Sequence, residues 1–211
     1  MSRDGRFHVV RTKKQLAALV SGARQEIVDV LSQMGTVSVA ELAAALGRPR
    51  DAIYYHLRVL KRAGLVMHAG DRGHGRRREE LFCTVSPDLR LAYRVGGGGN
   101  APAITAIVGS MLRLGTRDFR RAFQTGDVNV SGSGRELWAL RTTGWLKPEE
   151  MVRVNQSIES LAHAVSKPRG KGRLYAITVL LTPLDHRARR NGTKAIRHKE
   201  RDAKGGRVGG R

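Results

Sequence analysis

Arg48–Gly64 reads RPRDAIYYHLRVLKRAG. Ile53, Leu57 and Leu60 recur at helical spacing and leave one narrow apolar stripe. The other faces carry Arg50, Asp51, Tyr54, Tyr55, Arg58, Lys61 and Arg62. Lys61 and Arg62 suit the negative end of the helix dipole, and Gly64 offers a left-handed stop. A helix with so thin a seam and so polar an outer face is either an ordinary surface helix or one that meets a partner outside the fold. Its neighbours decide between the two.

On the N-terminal side, Ser38 followed by Glu41 forms a capping box, in which hydroxyl and carboxylate reciprocally satisfy free amide groups. Val39, Leu42, Ala43 and Leu46 give that short helix its buried face. Gly47 closes it and Pro49 opens the next, so two helices meet at a tight turn. Before them, Leu16, Leu19, Val20, Ala23, Ile27, Leu31 and Met34 keep helical spacing over 12–34, with a break expected at Gly22. On the C-terminal side, Leu65–His68 and Leu81–Val85 read as paired strands. Between them lies the tip Asp71-Arg72-Gly73-His74-Gly75-Arg76-Arg77-Arg78. Its arginines repel one another unless an anion lies nearby. A helix-turn-helix followed by a basic hairpin is a winged helix, and its natural partner is nucleic acid.

The charge agrees. Among 211 residues, 39 Lys and Arg against 18 Asp and Glu give a formal net charge of +21. Such an excess points to a nucleic acid far ahead of a membrane surface. No apolar run reaches the roughly 20 residues that span a bilayer. The N-terminal MSRDGRFHVV lacks the apolar core of a secretory signal. The single cysteine, Cys83, excludes an internal disulfide and a Cys-rich zinc site. A cytoplasmic, nucleoid-associated location follows as an expectation.

Residues 20–85 resemble the winged-helix domain of the ArsR-type transcriptional regulators. The matching text is ARQEIVDVLSQMGTVSVAELAAALGRPRDAIYYHLRVLKRAGLV and the arginine-rich wing after it. The resemblance implies a DNA-binding regulator acting as a homodimer on a two-fold operator. Two positions depart from the family pattern. Pro49 stands where a helix-capping serine is usual. VAELAAALG stands where metal-sensing members carry paired cysteines, so a member that does not sense metal is expected. A weaker resemblance joins WLKPEE and LYAITVLLTPL to the C-terminal extension of some such regulators.

The predicted architecture is α+β and mainly helical. A flexible basic lead-in covers 1–11, the winged helix-turn-helix domain 12–95, and a glycine linker 96–100. A small helical or α+β C-terminal region for dimerisation or effector binding covers 101–184, and a disordered basic tail 185–211. Within the C-terminal region, helices are predicted over Ala101–Phe123 and Lys147–Val165, and strands over Leu137–Thr142 and Leu174–Leu181. Trp138, Trp145 and Tyr175 either pack in a core or line an apolar pocket for an effector of unknown identity.

In the predicted interface with double-stranded DNA, Arg50 makes a bidentate contact to guanine. Asp51 serves the helix N-terminus or accepts from a cytosine amino group. Tyr54 and Tyr55 meet phosphate or a thymine methyl, and Arg58 meets phosphate. His56 is a packed ring or a groove contact. In the wing, Arg72, His74, Arg76, Arg77 and Arg78 meet the backbone or the minor groove. The alternative reading is an architectural DNA-binding protein with little sequence preference. An RNA-associated protein is disfavoured, because only 5% of residues are aromatic and stacking platforms need them. The sequence holds no Ser-His-Asp spacing, paired carboxylates, nucleotide loop or metal cluster, so neither an enzyme nor a cofactor is expected.

Overall fold

The computed structural model describes residues 7–73, 78–94, 96, 99–166 and 172–184. Thr12 opens the helical part with a capping box to Gln15, and α1 runs Lys13–Leu19. The break foreseen at Gly22 lies just before it: Ser21 is extended, and α2 runs Gly22–Met34. A two-residue strand β2 (Val37–Ser38) leads into α3 (Val39–Leu46), and α4 spans Arg50–Arg62. The wing strands are β3 (Val66–Arg72) and β4 (Glu79–Thr84). They pair antiparallel from Val66↔Thr84 to Arg72↔Glu79, with an irregularity between His68 and Asp71. β2 adds to β4 through Val37↔Phe82, giving the sheet order β2-β4-β3.

The described end of the lead-in and the connector after the wing are paired with each other. His8–Val10 forms β1, paired in parallel with β5, Leu89–Leu91. Val10 is completely buried, so residues of the expected flexible segment belong to the core. That core gathers Leu16, Ile27, Leu31, Leu42, Ile53, Leu57, Leu60 and Leu65, all within 2% of full burial. It also takes in two residues from beyond the glycine run. α5 (Ala101–Thr125) buries Ile104 and Ile107 against the same cluster. Residues 96–100 therefore do not separate the winged helix from the start of α5.

Side chains fix that junction. The last carbonyls of α1 and its C-cap have no partner within their own helix. Arg24 donates to Ala17 O (3.2 Å) and to Ala18 O, and Gln25 Nε2 donates to Leu19 O (2.6 Å). Ser110 Oγ, from α5, donates to Val20 O (2.8 Å). Gln25 Nε2 also donates to Ile107 O at 3.2 Å.

Farther on, α6 (Pro148–Ser166) is present as the proline and the two acidic residues of its first turn foretell. The two strands predicted in this region are absent. Leu137–Thr142 and Leu174–Leu181 run without regular secondary structure. Branched residues suit a strand only where a neighbour supplies the ladder, and neither segment has one among the described residues. Trp138 and Trp145 are two-thirds exposed and Tyr175 half exposed, so the core expected of them is also absent. Tyr175 instead donates its hydroxyl proton to Glu136, and Arg173 Nη1 donates to Asp127 O (2.7 Å). The chain divides after Leu180, and the described part of the second unit is residues 181–184. The predicted basic tail, 185–211, lies outside the described residues.

Candidate nucleic-acid interface

The turn between α3 and α4 is built from backbone rules. Ser38 Oγ accepts from Glu41 N (3.3 Å), and the Glu41 carboxylate accepts from Ser38 N (2.8 Å). Gly47 is left-handed at φ 60°, which lets Arg48 N reach back to Ala43 O at 3.0 Å. A side chain at that φ is strained, so glycine is needed where the chain leaves one helix for the next. Pro49 sits at the N-cap position of α4, one residue earlier than its expected place in the first turn. It offers no side-chain cap, and Asp51 is the acidic residue of that turn. Arg48 does not cap either, because its guanidinium pairs with Glu26 of α2.

α4 buries only Ile53, Leu57 and Leu60. Arg50, Asp51, Tyr54, Tyr55, Arg58, Lys61 and Arg62 are all exposed. None of their side chains takes part in a hydrogen bond or ion pair among the described residues. Seven polar groups thus stand uncommitted on one helix. His56 is different. Its ring is partly buried edge-on to Tyr55, with centroids 5.2 Å apart, and Nδ1 is enclosed without a hydrogen-bond partner. Burial, then the charges of Arg24 and Arg48, lower its pKa below the usual histidine value. The packed reading of His56 fits this setting.

The wing is tied to the fold by its own charges. Arg72 Nη2 lies 2.9 Å from Glu41 and 3.2 Å from Glu79. Arg78 pairs with Asp71, whose carboxylate also lies 3.3 Å from His68 Nε2. For Arg72 and Arg78 the anions are therefore within the protein. His74, Arg76 and Arg77 lie outside the described residues. Sequence reading gave Glu41 only its capping role. Its second role, holding the wing to α3, joins residues 31 positions apart and leaves no local signal.

Residues 19–69 match a family model described as a helix-turn-helix domain. No curated protein matches the chain. Among solved structures, a transcriptional regulator HlyU from Vibrio vulnificus is 28% identical over 34% of this chain and 68% of its own, with a TM-score of 0.28. Reduced HlyU from Vibrio cholerae is 27% identical over 35% of this chain and 70% of its own, also with a TM-score of 0.28. The match over 19–69 covers α2, α3 and α4 and the start of the wing, and this part of the chain is a helix-turn-helix domain.

Proposed function

We propose that the protein is a DNA-binding transcriptional regulator of the ArsR type that reads its operator with α4. One observation carries the reading: the exposed face of α4 offers arginines, tyrosines and a lysine that have no partner among the described residues, on the second helix of a helix-turn-helix. A helix so placed enters the major groove with its N-terminal residues at the base edges. Arg50 makes the bidentate guanine contact, Tyr54, Tyr55 and Arg58 meet backbone or methyl groups, and Asp51 serves the helix terminus. The wing follows the adjacent backbone, with Arg72, His74, Arg76, Arg77 and Arg78 as its contacts. A homodimer supplies two recognition helices for a two-fold site, with the exposed part of α5 as its interface.

Arg50→Ala tests the assignment. Competitive binding against random DNA at fixed moderate salt should show the preference for the operator reduced by about 1–3 kcal/mol. Binding to random DNA should hardly change. If the variant keeps both its footprint and its preference, α4 is not the reading element. Equal affinity of the unaltered protein for operator and random DNA would instead favour an architectural role.

A further inference from the structure

On the outer face of α2, away from α3 and α4, lies a cleft of about 370 Å³. Its size falls at the lower end of ligand pockets, roughly 300–1,000 Å³. Val28 of α2, Leu89 of β5, Ile158 and Val165 of α6, and Ile177 and Val179 of the extended segment give it apolar walls. Two carboxylates interrupt them, Asp29 and Asp88. Asp88 is answered by Arg90, whose Nε is 2.9 Å away. Asp29 has no ion pair and no side-chain hydrogen bond among the described residues. The nearby arginines are already committed. Glu26 takes Arg48 and Arg117, and Asp118 also takes Arg117.

Among the described residues no lysine, arginine or histidine lines the cleft. Asp29 is itself exposed to solvent, with protein atoms crowded around its base. Burial first, then the charges of Glu26 and Asp118, raise its carboxyl pKa to about 6. A cation brought into the cleft would supply the charge that the fold withholds, while an apolar body would cover the aliphatic walls. An anion would meet the two carboxylates Asp29 and Asp88, of which only Asp88 has a counter-charge among the described residues.

We propose that this cleft is a binding site for a small amphipathic organic cation, with an amine head on Asp29 and an apolar body between α2, α6 and the segment at Ile177–Val179. Such a ligand would bridge α2, whose inner face packs on the helix-turn-helix, to the C-terminal helix. The site does not depend on the DNA reading, and binding is measured without DNA, so the two fail separately.

The test is calorimetric titration of the full-length protein with three molecules of one shape: 4-phenylbutylamine, 4-phenylbutanol and 4-phenylbutyrate. The amine should bind at least about tenfold tighter than the alcohol, which is one decade in Kd. The carboxylate should bind weakest. Asp29→Asn should erase the advantage of the amine and leave the alcohol unchanged. Ala162→Phe, which fills the cleft from α6, should weaken all three, with circular dichroism confirming that each variant stays folded. Equal affinities across the series, no binding at millimolar concentration, or an amine preference that survives Asp29→Asn would each overturn the proposal.

Discussion

At the scale of single residues, the same charge does two kinds of work in this protein, and its neighbours decide which. Arg58 on α4 has no partner among the described residues, whereas Arg72 on the wing is held between Glu41 and Glu79. A phosphate must compete with those carboxylates for Arg72. Glu41→Gln isolates this effect, because glutamine can still accept from Ser38 N in a capping box but carries no charge. The expected result is a steeper fall of affinity with salt, by about one in the slope of log K against log salt, as Arg72 becomes available to a phosphate. Thermal stability should move little, as for other exposed pairs. An unchanged slope would mean that Glu41 does not compete with phosphate for Arg72. His56 makes a second prediction. Its folded pKa is lowered, so the unfolded chain takes up a proton first as pH falls below about 6.5. The stability linked to His56 is complete above that pH and is lost on the acid side. His56→Phe keeps an aromatic ring and removes the proton site. Its stability curve from about pH 7 down to 5 should therefore fall less than that of the parent. Parallel curves would remove His56 as a titrating group.

Between elements, the corner of α1, α2 and α5 shows how far sequence reading reaches. The capping box at Ser38, the buried stripe of α4 and the stop at Gly64 are settled by residues three to five positions apart, and all are legible in the text; the box at Thr12 is equally local but was not read there. The bond from Gln25 Nε2 to Ile107 O spans 82 positions, and the three-residue ladder of β1 with β5 joins residues equally remote. Neither leaves a local pattern. The opposite error occurred at Leu174–Leu181, where β-branched composition was read as a strand although a strand exists only with its neighbour. The face of α4 was legible because outward polar residues are a periodic signal. The ion pairs of the wing and the cleft beside Asp29 were not, because tertiary contacts assemble them. Ser110→Ala tests the corner directly. It leaves Val20 O without its donor at a part-buried site, and should cost about 0.5–1.5 kcal/mol in denaturant unfolding. No loss of stability would mean that water replaces the hydroxyl there.

For the molecule as a whole, the question is where the DNA-binding unit ends. The glycine run at 96–99 suggests a seam, and a fragment ending there would be the natural choice for DNA-binding work. The packing argues against it. Ile104 and Ile107 lie 8% and 2% exposed in the same cluster as Leu16, Leu19 and Ile27, and Ser110 closes the end of α1. Arg117 extends the contact to Glu26, which also holds Arg48 at the turn before α4. Cutting at residue 99 therefore exposes core surface and unties the support of α4 together. Trimming one buried isoleucine to alanine already costs about 2–5 kcal/mol. Losing two, with Ser110, is comparable to the whole stability of a small domain, about 5–15 kcal/mol. A chain of residues 1–99 should melt far below the parent, with a broad transition, and should bind DNA weakly even where α4 is intact. A chain of residues 1–126, which keeps α5 to the glycine that ends it, should melt cooperatively and retain the α4 contacts. Matching melting curves for the two fragments would show that α5 only lies against the domain. A lower, broadened transition confined to the shorter one would establish α5 as part of the body that holds α4 in place.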